Sequence, residues 1–434
     1  MHFLSHIKRL YASEFFKFSV VLLSSNAIAQ AIGFVAYPII TRLYSPEIFG
    51  MFNLFLSIVT ILTLLTTGQY ELAILLPESE KKATALFQLS VMLTVGVALF
   101  FFIIISLFGK NIIALFHKEE LVSLLPYLPL YLLLWGFWQT LNYYFVRQKK
   151  YYSISAYNIT QSVTGGGMKC LFGFKGFLAF GLVWGQLLGQ FLATSISFIS
   201  GRSVLKQLKQ WDSREIAAVA KIYSNFPKFQ LSNELLNVFA GNLPVLLLSF
   251  YFEIGKIGLF SLALTVGMAP VILFSNSVYQ VLFRKVSEQV QNKEKILNIC
   301  FAFGKMCLIF ILPFFVLFMF LPNNFFALLF GAKWTGVGFY LKLMLPWLFL
   351  VVLHASLCFV PNLFFRQKMA IVIEIISVTI RIISLFLGAY LRNFDLAVGL
   401  FCGASALMMA MKLTWYFLLA KKYESNLLCK NCNL

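Results

Sequence analysis

Long apolar runs alternate with short polar segments along most of the chain, and this pattern sets the expected fold. The runs are about 20 residues or longer, enough to cross a bilayer as helices and too long for the strands of a membrane barrel. We therefore predict an all-α polytopic membrane protein with about 12 transmembrane helices. The predicted spans are residues 16–41, 48–76, 83–108, 122–146, 152–174, 176–201, 226–250, 257–280, 297–321, 338–362, 369–391 and 395–420.

Composition excludes an ordinary soluble protein. Of 434 residues, 60% are hydrophobic and 12% are charged, and the mean hydropathy is +0.85. Soluble domains contain about 45–50% apolar and about 25% charged residues. The first apolar run extends through Pro38, so we interpret it as a retained span and not as a cleaved signal peptide.

The distribution of basic residues predicts the orientation. Most of the 35 Lys and Arg residues lie in the termini and in the loops that share their side of the membrane. Basic residues mark the cytoplasmic face, so both termini are predicted to be cytoplasmic. The net charge of +19 is explained by this topology and by attraction to anionic lipid headgroups. We expect membrane lipids as partners and no nucleic acid.

Weak internal repeats indicate two related halves. The Ser-Asn pair at residues 25–26, followed by Pro38, recurs at 232–233 before Pro244. We predict two pseudo-symmetric lobes of about six helices each, related by an axis along the membrane normal. The predicted domains are a lobe at residues 1–210 with an amphipathic N-terminal segment (3–15), a cytoplasmic amphipathic linker at 211–225, and a lobe at 226–434 with a cytoplasmic tail.

Glycines indicate close helix packing. Gly181, Gly185 and Gly189 share one face of a predicted helix, where a neighbouring backbone can approach closely. The glycine run at residues 165–167 indicates either a hinge or a second part of such a crossing.

Basic residues deep inside spans are candidates for a binding cavity. A charge at the bilayer centre costs about 2.5–3.5 kcal/mol, so such residues usually face a bundle interior. Arg381 lies near the middle of its span, and Lys305 and Lys412 lie too deep to reach water easily. Lys169 and Lys342 are closer to the outer ends, from which their side chains can reach the headgroups, and we did not select them.

Acidic and amide residues complete the candidate set. Glu71, Glu234 and Glu374 either pair with basic groups across helices or couple transport to a proton or cation. The amides of four further residues suit sugar hydroxyls or interhelical hydrogen bonds: Asn26, Gln30, Asn233 and Asn237. No metal site and no cofactor are predicted, because the C-x-x-C pair at Cys429 and Cys432 has no neighbouring His or second pair.

Three stretches carry a family resemblance: PIITRLYSPEIFGMF at residues 38–52, YELAILLP at 70–77 and GLVWGQLLG at 181–189. They resemble the Wzx-type polysaccharide flippases, in the superfamily that also holds multidrug exporters and peptidoglycan-precursor flippases. The resemblance implies a MATE-like fold in the bacterial cytoplasmic (inner) membrane. It also implies a substrate, an oligosaccharide repeat unit on a polyprenyl diphosphate, moved to the outer leaflet for O-antigen, lipopolysaccharide or capsule synthesis, with the polysaccharide polymerase machinery as a partner.

Charge chemistry agrees with such a substrate. A net-basic cavity between the lobes, containing Arg381, Lys305 and Lys412, would hold a diphosphate while one lobe rocks against the other. No nucleotide-binding loop is present, so energy comes from substrate consumption or from the coupling acids. Two alternatives stay open: an ion-coupled exporter of cationic drugs, whose cavity should be acidic, and a membrane glycan polymerase or ligase.

Overall fold

The computed structural model describes residues 14–116, 119–202, 212–364 and 366–431, and these ranges contain helices and no strand. The first ten helices are α1 (Glu14–Leu43), α2 (Pro46–Thr63), α3 (Tyr70–Ala73), α4 (Glu80–Phe116), α5 (Glu119–Leu124), α6 (Leu128–Arg147), α7 (Tyr151–Phe174), α8 (Leu178–Ser200), α9 (Ser213–Ile222) and α10 (Leu231–Tyr251). The others are α11 (Ile254–Gln291), α12 (Leu297–Met306), α13 (Leu312–Phe320), α14 (Asn323–Phe330), α15 (Val337–Leu357), α16 (Val360–Leu363), α17 (Gln367–Tyr390) and α18 (Phe394–Asn431).

The predicted all-helical membrane fold is confirmed. In the part of the chain that the structure describes, nine helical stretches are long and apolar enough to cross a membrane. The three other predicted spans, at residues 16–41, 122–146 and 152–174, coincide with α1, α6 and α7, which are not among the nine. The amphipathic segment predicted at residues 3–15 falls almost wholly outside the described residues, as does Cys432.

The chain divides into two compact units, Met1–Phe250 and Tyr251–Leu434. Helix α10, which we predicted to begin the second lobe, belongs to the first unit up to its last residue. In the first unit α8 packs along α7, and α7 packs along α1. In the second unit α11 packs along α15, and α18 packs against both α15 and α17.

The second predicted span, residues 48–76, is confirmed in its first part, because a helix of membrane-spanning length runs from Pro46 to Thr63, but it does not continue to residue 76. Helix α2 ends at Thr63, and the chain reaches α3 through Gly68 and Gln69, whose φ angles are 60° and 63°. Leu64, directly after α2, is still right-handed, so the left-handed pair does not end α2 itself but keeps the intervening segment from continuing as a helix into α3. Glycine adopts the left-handed conformation without steric cost. The break places Glu71 in the short helix α3.

The ninth predicted span is also interrupted. A π-helical turn at Cys307–Ile311 separates α12 from α13, and Pro313 lies at the start of α13. Proline removes a backbone donor and crowds the preceding turn, so the helix widens there.

The glycine face of α8 forms a close crossing with α7. A Cβ atom at Gly189 would lie 2.6 Å from the Cα atom of Gly165, and one at Gly185 would lie 2.6 Å from Cγ of Lys169. Helix α7 continues without a break through residues 165–167. The close-crossing interpretation of Gly165 is therefore confirmed, and the helix shows no hinge at this run.

The predicted amphipathic helix of the linker is confirmed as α9. Asp212 caps its N-terminus, with Oδ1 accepting hydrogen bonds from the backbone N–H groups of Arg214 and Glu215. Ile216 and Val219 are buried on the side that packs against α4. In addition, Lys81 Nζ lies 3.0 Å from Asp212 Oδ2. Residues 203–211, which precede this helix and include the first residue of the predicted linker, are outside the described ranges.

We predict that Gly189→Ala destabilises the first unit, because the added methyl group would press on the backbone of α7. Overpacking of this kind costs about 1–3 kcal/mol. The matched control is Gly167→Ala, since no atom lies within 4 Å of a Cβ at Gly167 and alanine favours the helix. Thermal unfolding in detergent should show a lower Tm for the first variant alone. Equal Tm values for both would contradict the close crossing.

We also predict a pH window for the docking of α9. The hydrogen bond and charge of Asp212 raise the pKa of Lys81, and the hydrogen bond from Lys81 lowers the pKa of Asp212. The lysine contribution is complete below its unfolded pKa of about 10.4 and disappears as the pH rises through the raised value. The aspartate contribution is complete above about 3.9 and disappears as the pH falls through the lowered value.

Amide protection factors of α9, measured by hydrogen exchange, should therefore stay constant from about pH 5 to about pH 9 and fall outside that range. The Lys81→Met variant should lose the alkaline limb while it retains the helix cap. A protection factor that changes steeply near neutral pH in the unmodified chain would contradict this assignment.

Candidate functional site

Two helices of the second unit bring three of the predicted charged residues together. Lys412 on α18 has a nearly buried side chain, and its Nζ lies 2.5 Å from Glu374 Oε2 on α17. Arg381 is two turns further along α17, on the same face as Glu374, and is only 7% exposed. These three of the deep charges selected from the sequence form one cluster, which we call the α17–α18 cluster.

Arg381 is the least satisfied member of this cluster. Its Nε and Nη2 atoms are buried, and neither has a hydrogen-bond acceptor among the described residues. Ser377, one turn before it on the same face, also has a buried hydroxyl without a partner there. A guanidinium stays charged in proteins, so its buried donors need an acceptor. An oxyanion is the ligand that such a site fits best.

The charges of the cluster do not balance. Glu374 is the acid that interacts electrostatically with Arg381, but its carboxylate is already paired with Lys412. Two cations therefore share one anion. The excess positive charge agrees with the predicted basic character of the site.

The cluster includes two residues that sequence reasoning missed. His354 on α15 has its Nε2 3.1 Å from the hydroxyl of Tyr416 on α18, with the two rings stacked 5.6 Å apart. Lys412, Glu374 and Arg381 are the charged groups that interact with this histidine. Two sequence signals could have found the pair: His354 is an ionisable residue inside an apolar span, and Tyr416 follows Lys412 by one helical turn.

The other predicted basic residue does not join the cluster. Lys305 is exposed on α12, just before the π-helical turn. It is not among the groups that interact with Arg381, Lys412 or His354. The structure thus brings together two of the three basic residues that we selected.

The predicted amides lie on exposed faces of the first unit. Asn26 and Gln30 are exposed on α1, and Asn26 Oδ1 accepts a hydrogen bond of 2.7 Å from Asn158 on α7. Asn233 and Asn237 are exposed on α10. Their role in binding stays a prediction.

Two acids of the first unit lie near one aromatic side chain. Glu71 on α3 is 3% exposed, and its Oε2 is buried without a hydrogen-bond partner among the described residues. Glu71 and Glu234 both interact electrostatically with Tyr143 on α6. Neither acid forms an ion pair in the part of the chain that the structure describes, so the pairing expected across helices is not observed for them.

The first unit also contains a cavity of about 190 Å³ between α1, α2, α7 and α8. Lys169 lines it, with Nζ 2.5 Å from Gln186 Oε1 and 5.0 Å from the centre of the Phe52 ring. The position of Lys169 along its span would allow the side chain to reach the headgroups, and it was not a candidate for that reason. In the structure the Gln186 amide and the Phe52 ring hold its ammonium group at the cavity.

Comparisons with known proteins agree with this fold. A family model described as polysaccharide biosynthesis protein matches residues 39–338. An inward-facing multidrug resistance MATE family transporter of the MOP superfamily superposes with a TM-score of 0.69 at 13% identity, covering 94% of this chain and 99% of the other. Lipid II flippase MurJ, in an inward closed conformation, gives 0.68 at 16% identity, covering 95% and 90%.

A mutant of the Vibrio cholerae MATE transporter VcmN gives a TM-score of 0.55 at 15% identity, covering 94% of this chain and 95% of the other. No curated protein matches the chain significantly. At these identities the structural likeness concerns the fold, and the predicted MATE-like fold is confirmed.

We predict an asymmetry within the α17–α18 cluster. Glu374→Gln leaves the ammonium of Lys412, whose side chain is 4% exposed, without its anion, whereas Lys412→Met leaves a carboxylate whose side chain is 38% exposed. Leaving a buried polar group unsatisfied costs about 1–3 kcal/mol, more for a charge. Thermal unfolding should therefore show a larger fall in Tm for Glu374→Gln.

The double variant Glu374→Gln with Lys412→Met serves as the control, since it removes both charges. We expect its Tm to exceed that of Glu374→Gln alone. A double variant as unstable as the sum of the two single variants would show that the pair does not interact.

Proposed function

The chain belongs to the polysaccharide biosynthesis protein family, and on that premise we propose that it is a lipid-linked oligosaccharide flippase. The proposed substrate is an oligosaccharide repeat unit on a polyprenyl diphosphate. The protein moves it from the inner to the outer leaflet of the bacterial cytoplasmic membrane by alternating access. The observation that carries the proposal is the buried Arg381, whose Nε and Nη2 atoms have no hydrogen-bond acceptor among the described residues.

A diphosphate would supply the hydrogen-bond acceptors that Arg381 lacks among the described residues. Phosphate oxygens accept paired hydrogen bonds from a guanidinium, and Lys412 adds a second positive charge in the same cluster. Bare charge is very costly in hydrocarbon, so a headgroup that crosses the membrane needs compensating charge along its path. The prenyl tail remains in lipid and needs no polar group.

Energy for transport is proposed to come from consumption of the substrate on the outer side or from ion coupling. Glu71 and Glu234 are the better candidates for a proton or cation, because Glu374 is already neutralised by Lys412. Nothing in this scheme requires a cofactor.

The structural relatives support a transporter. The solved structure of MurJ is described as that of a lipid II flippase. We accordingly assign the chain to surface polysaccharide synthesis (O-antigen, lipopolysaccharide or capsule), with both termini in the cytoplasm and the polysaccharide polymerase machinery downstream.

A second candidate function is the ion-coupled export of cationic compounds. It is favoured by the unpaired acids Glu71 and Glu234 and by the likeness to a multidrug transporter. The net positive α17–α18 cluster opposes it, because that site would repel a cationic substrate.

We predict that Arg381→Ala abolishes surface polysaccharide display, because the diphosphate loses its bidentate partner. Arg381→Lys keeps the charge without the paired geometry and should retain display at a level reduced about tenfold. The measurement is immunoblotting of surface glycan together with extraction of lipid-linked oligosaccharides from each leaflet. Substrate should accumulate in the inner leaflet.

Lys305→Ala is the matched control, since Lys305 is exposed outside the cluster. It should display glycan at a level close to that of the unmodified protein. Membrane levels and Tm of each variant exclude a folding defect. Normal display by a folded Arg381→Ala variant would contradict the proposal. A gene deletion that changes drug sensitivity but leaves the pools of lipid-linked oligosaccharide unchanged would favour the exporter.

A further inference from the structure

The cavity of the first unit has a chemistry that the proposed diphosphate site does not use. It lies between four helices of one unit, whereas Arg381 and Lys412 belong to the other unit. Its volume of about 190 Å³ is below the roughly 300–1,000 Å³ of pockets for drug-sized ligands. The cavity therefore suits a single small ring and not a whole oligosaccharide.

Several contacts build Lys169 into the wall of this cavity. The hydroxyl of Tyr44 donates a hydrogen bond of 2.8 Å to the backbone carbonyl of Lys169. Gly185 leaves room for the lysine stem, because any Cβ there would overlap it. Gln186 accepts a hydrogen bond from Nζ, and the ring of Phe52 lies beneath the charge. These contacts fix the ammonium group in one place.

The fixed ammonium group keeps donors for a ligand. A lysine carries three N–H donors, Gln186 accepts one of them, and an aromatic ring attracts the charge without providing an oxygen acceptor. The residues that line the cavity include no aspartate or glutamate. A ligand with one negative charge would complete the site, whereas a diphosphate brings more charge than one lysine balances.

The remaining wall matches a sugar ring. Gln161 provides an amide group, and the Ser162 hydroxyl, which donates its proton to the backbone carbonyl of Ala29, can still accept a hydrogen bond. The flat apolar faces of the wall come from three aromatic residues: Tyr37, Phe49 and Phe52. Gly33 and Gly166 keep side chains out of the space. A pyranose ring presents the same combination, with hydroxyl groups at its rim and C–H groups on its faces.

We infer that this cavity binds one carboxylate-bearing sugar of the hexuronate class, with its carboxylate on Lys169. Binding itself does not depend on the proposed function. The role of the cavity as a subsite for an acidic sugar of the transported repeat unit rests on that function.

The test titrates purified full-length protein in detergent with sodium glucuronate, glucose, sodium acetate and inorganic phosphate at matched ionic strength. Thermal stability reports binding, because a ligand of the folded state raises Tm. We expect glucuronate to bind with a dissociation constant on the order of 1 mM and glucose about tenfold more weakly. Acetate or phosphate that stabilises as well as glucuronate would overturn the sugar assignment, and no stabilisation by glucuronate would overturn the site.

Two variants locate the binding. Lys169→Met should weaken glucuronate binding at least about tenfold, while Lys342→Met, at another outer-end lysine, should leave it unchanged. Gly33→Leu fills the cavity without removing the charge and should also abolish binding, which keeps the test decisive if Lys169→Met fails to fold. Unchanged affinity in a folded Lys169→Met or Gly33→Leu variant would overturn the inference.

The Arg381→Ala variant separates this inference from the proposed function. It should bind glucuronate normally and fail to display glycan. If the unmodified protein does not bind glucuronate while Arg381→Ala still loses display, the cavity assignment fails and the flippase proposal stands.

Discussion

The cost of charge in a low-dielectric membrane interior governs how this protein arranges its few deep ionisable residues. Along α17 and α18, Glu374 neutralises Lys412 at short range. Arg381 lies close by, and the acid that interacts with it is already paired. A fully paired set of charges would only stabilise the helix packing. One cation in excess leaves a positive charge that an anion from outside the protein can compensate. The proposed substrate chemistry follows from that single imbalance.

The helical fold could be predicted from the sequence because hydrocarbon leaves the backbone few alternatives. Apolar runs located most helix starts within about three residues, but α4, α11 and α18 continue well past the predicted ends. Glycine spacing identified the face of α8 that packs closely, and the structure identifies α7 as its partner. The interruption after Thr63 could not be predicted in this way. The segment between α2 and α3 includes left-handed backbone at Gly68 and Gln69. A hydropathy pattern carries no information about backbone angles.

The candidate site was predictable where depth was the deciding factor. The sequence placed Arg381 and Lys412 deep within their spans, and the structure shows both side chains buried in the cluster. Depth alone was not sufficient for Lys305. The depth of a residue along a helix does not say in which direction its side chain points, and a π-helical turn follows Lys305 directly. Lys169 is the opposite case. Its predicted depth was small, but Gln186 and Phe52 hold its ammonium group at the cavity.

The contact between Gly165 and Gly189 also restricts how the first unit can move. With the two backbones this close, α7 and α8 cannot slide or roll against each other without collision. Any conformational change must therefore move α7 and α8 together, as one rigid body. The part of the cavity wall that holds Lys169 would then keep its shape while other helices rearrange. A sugar bound there would move together with α7 and α8.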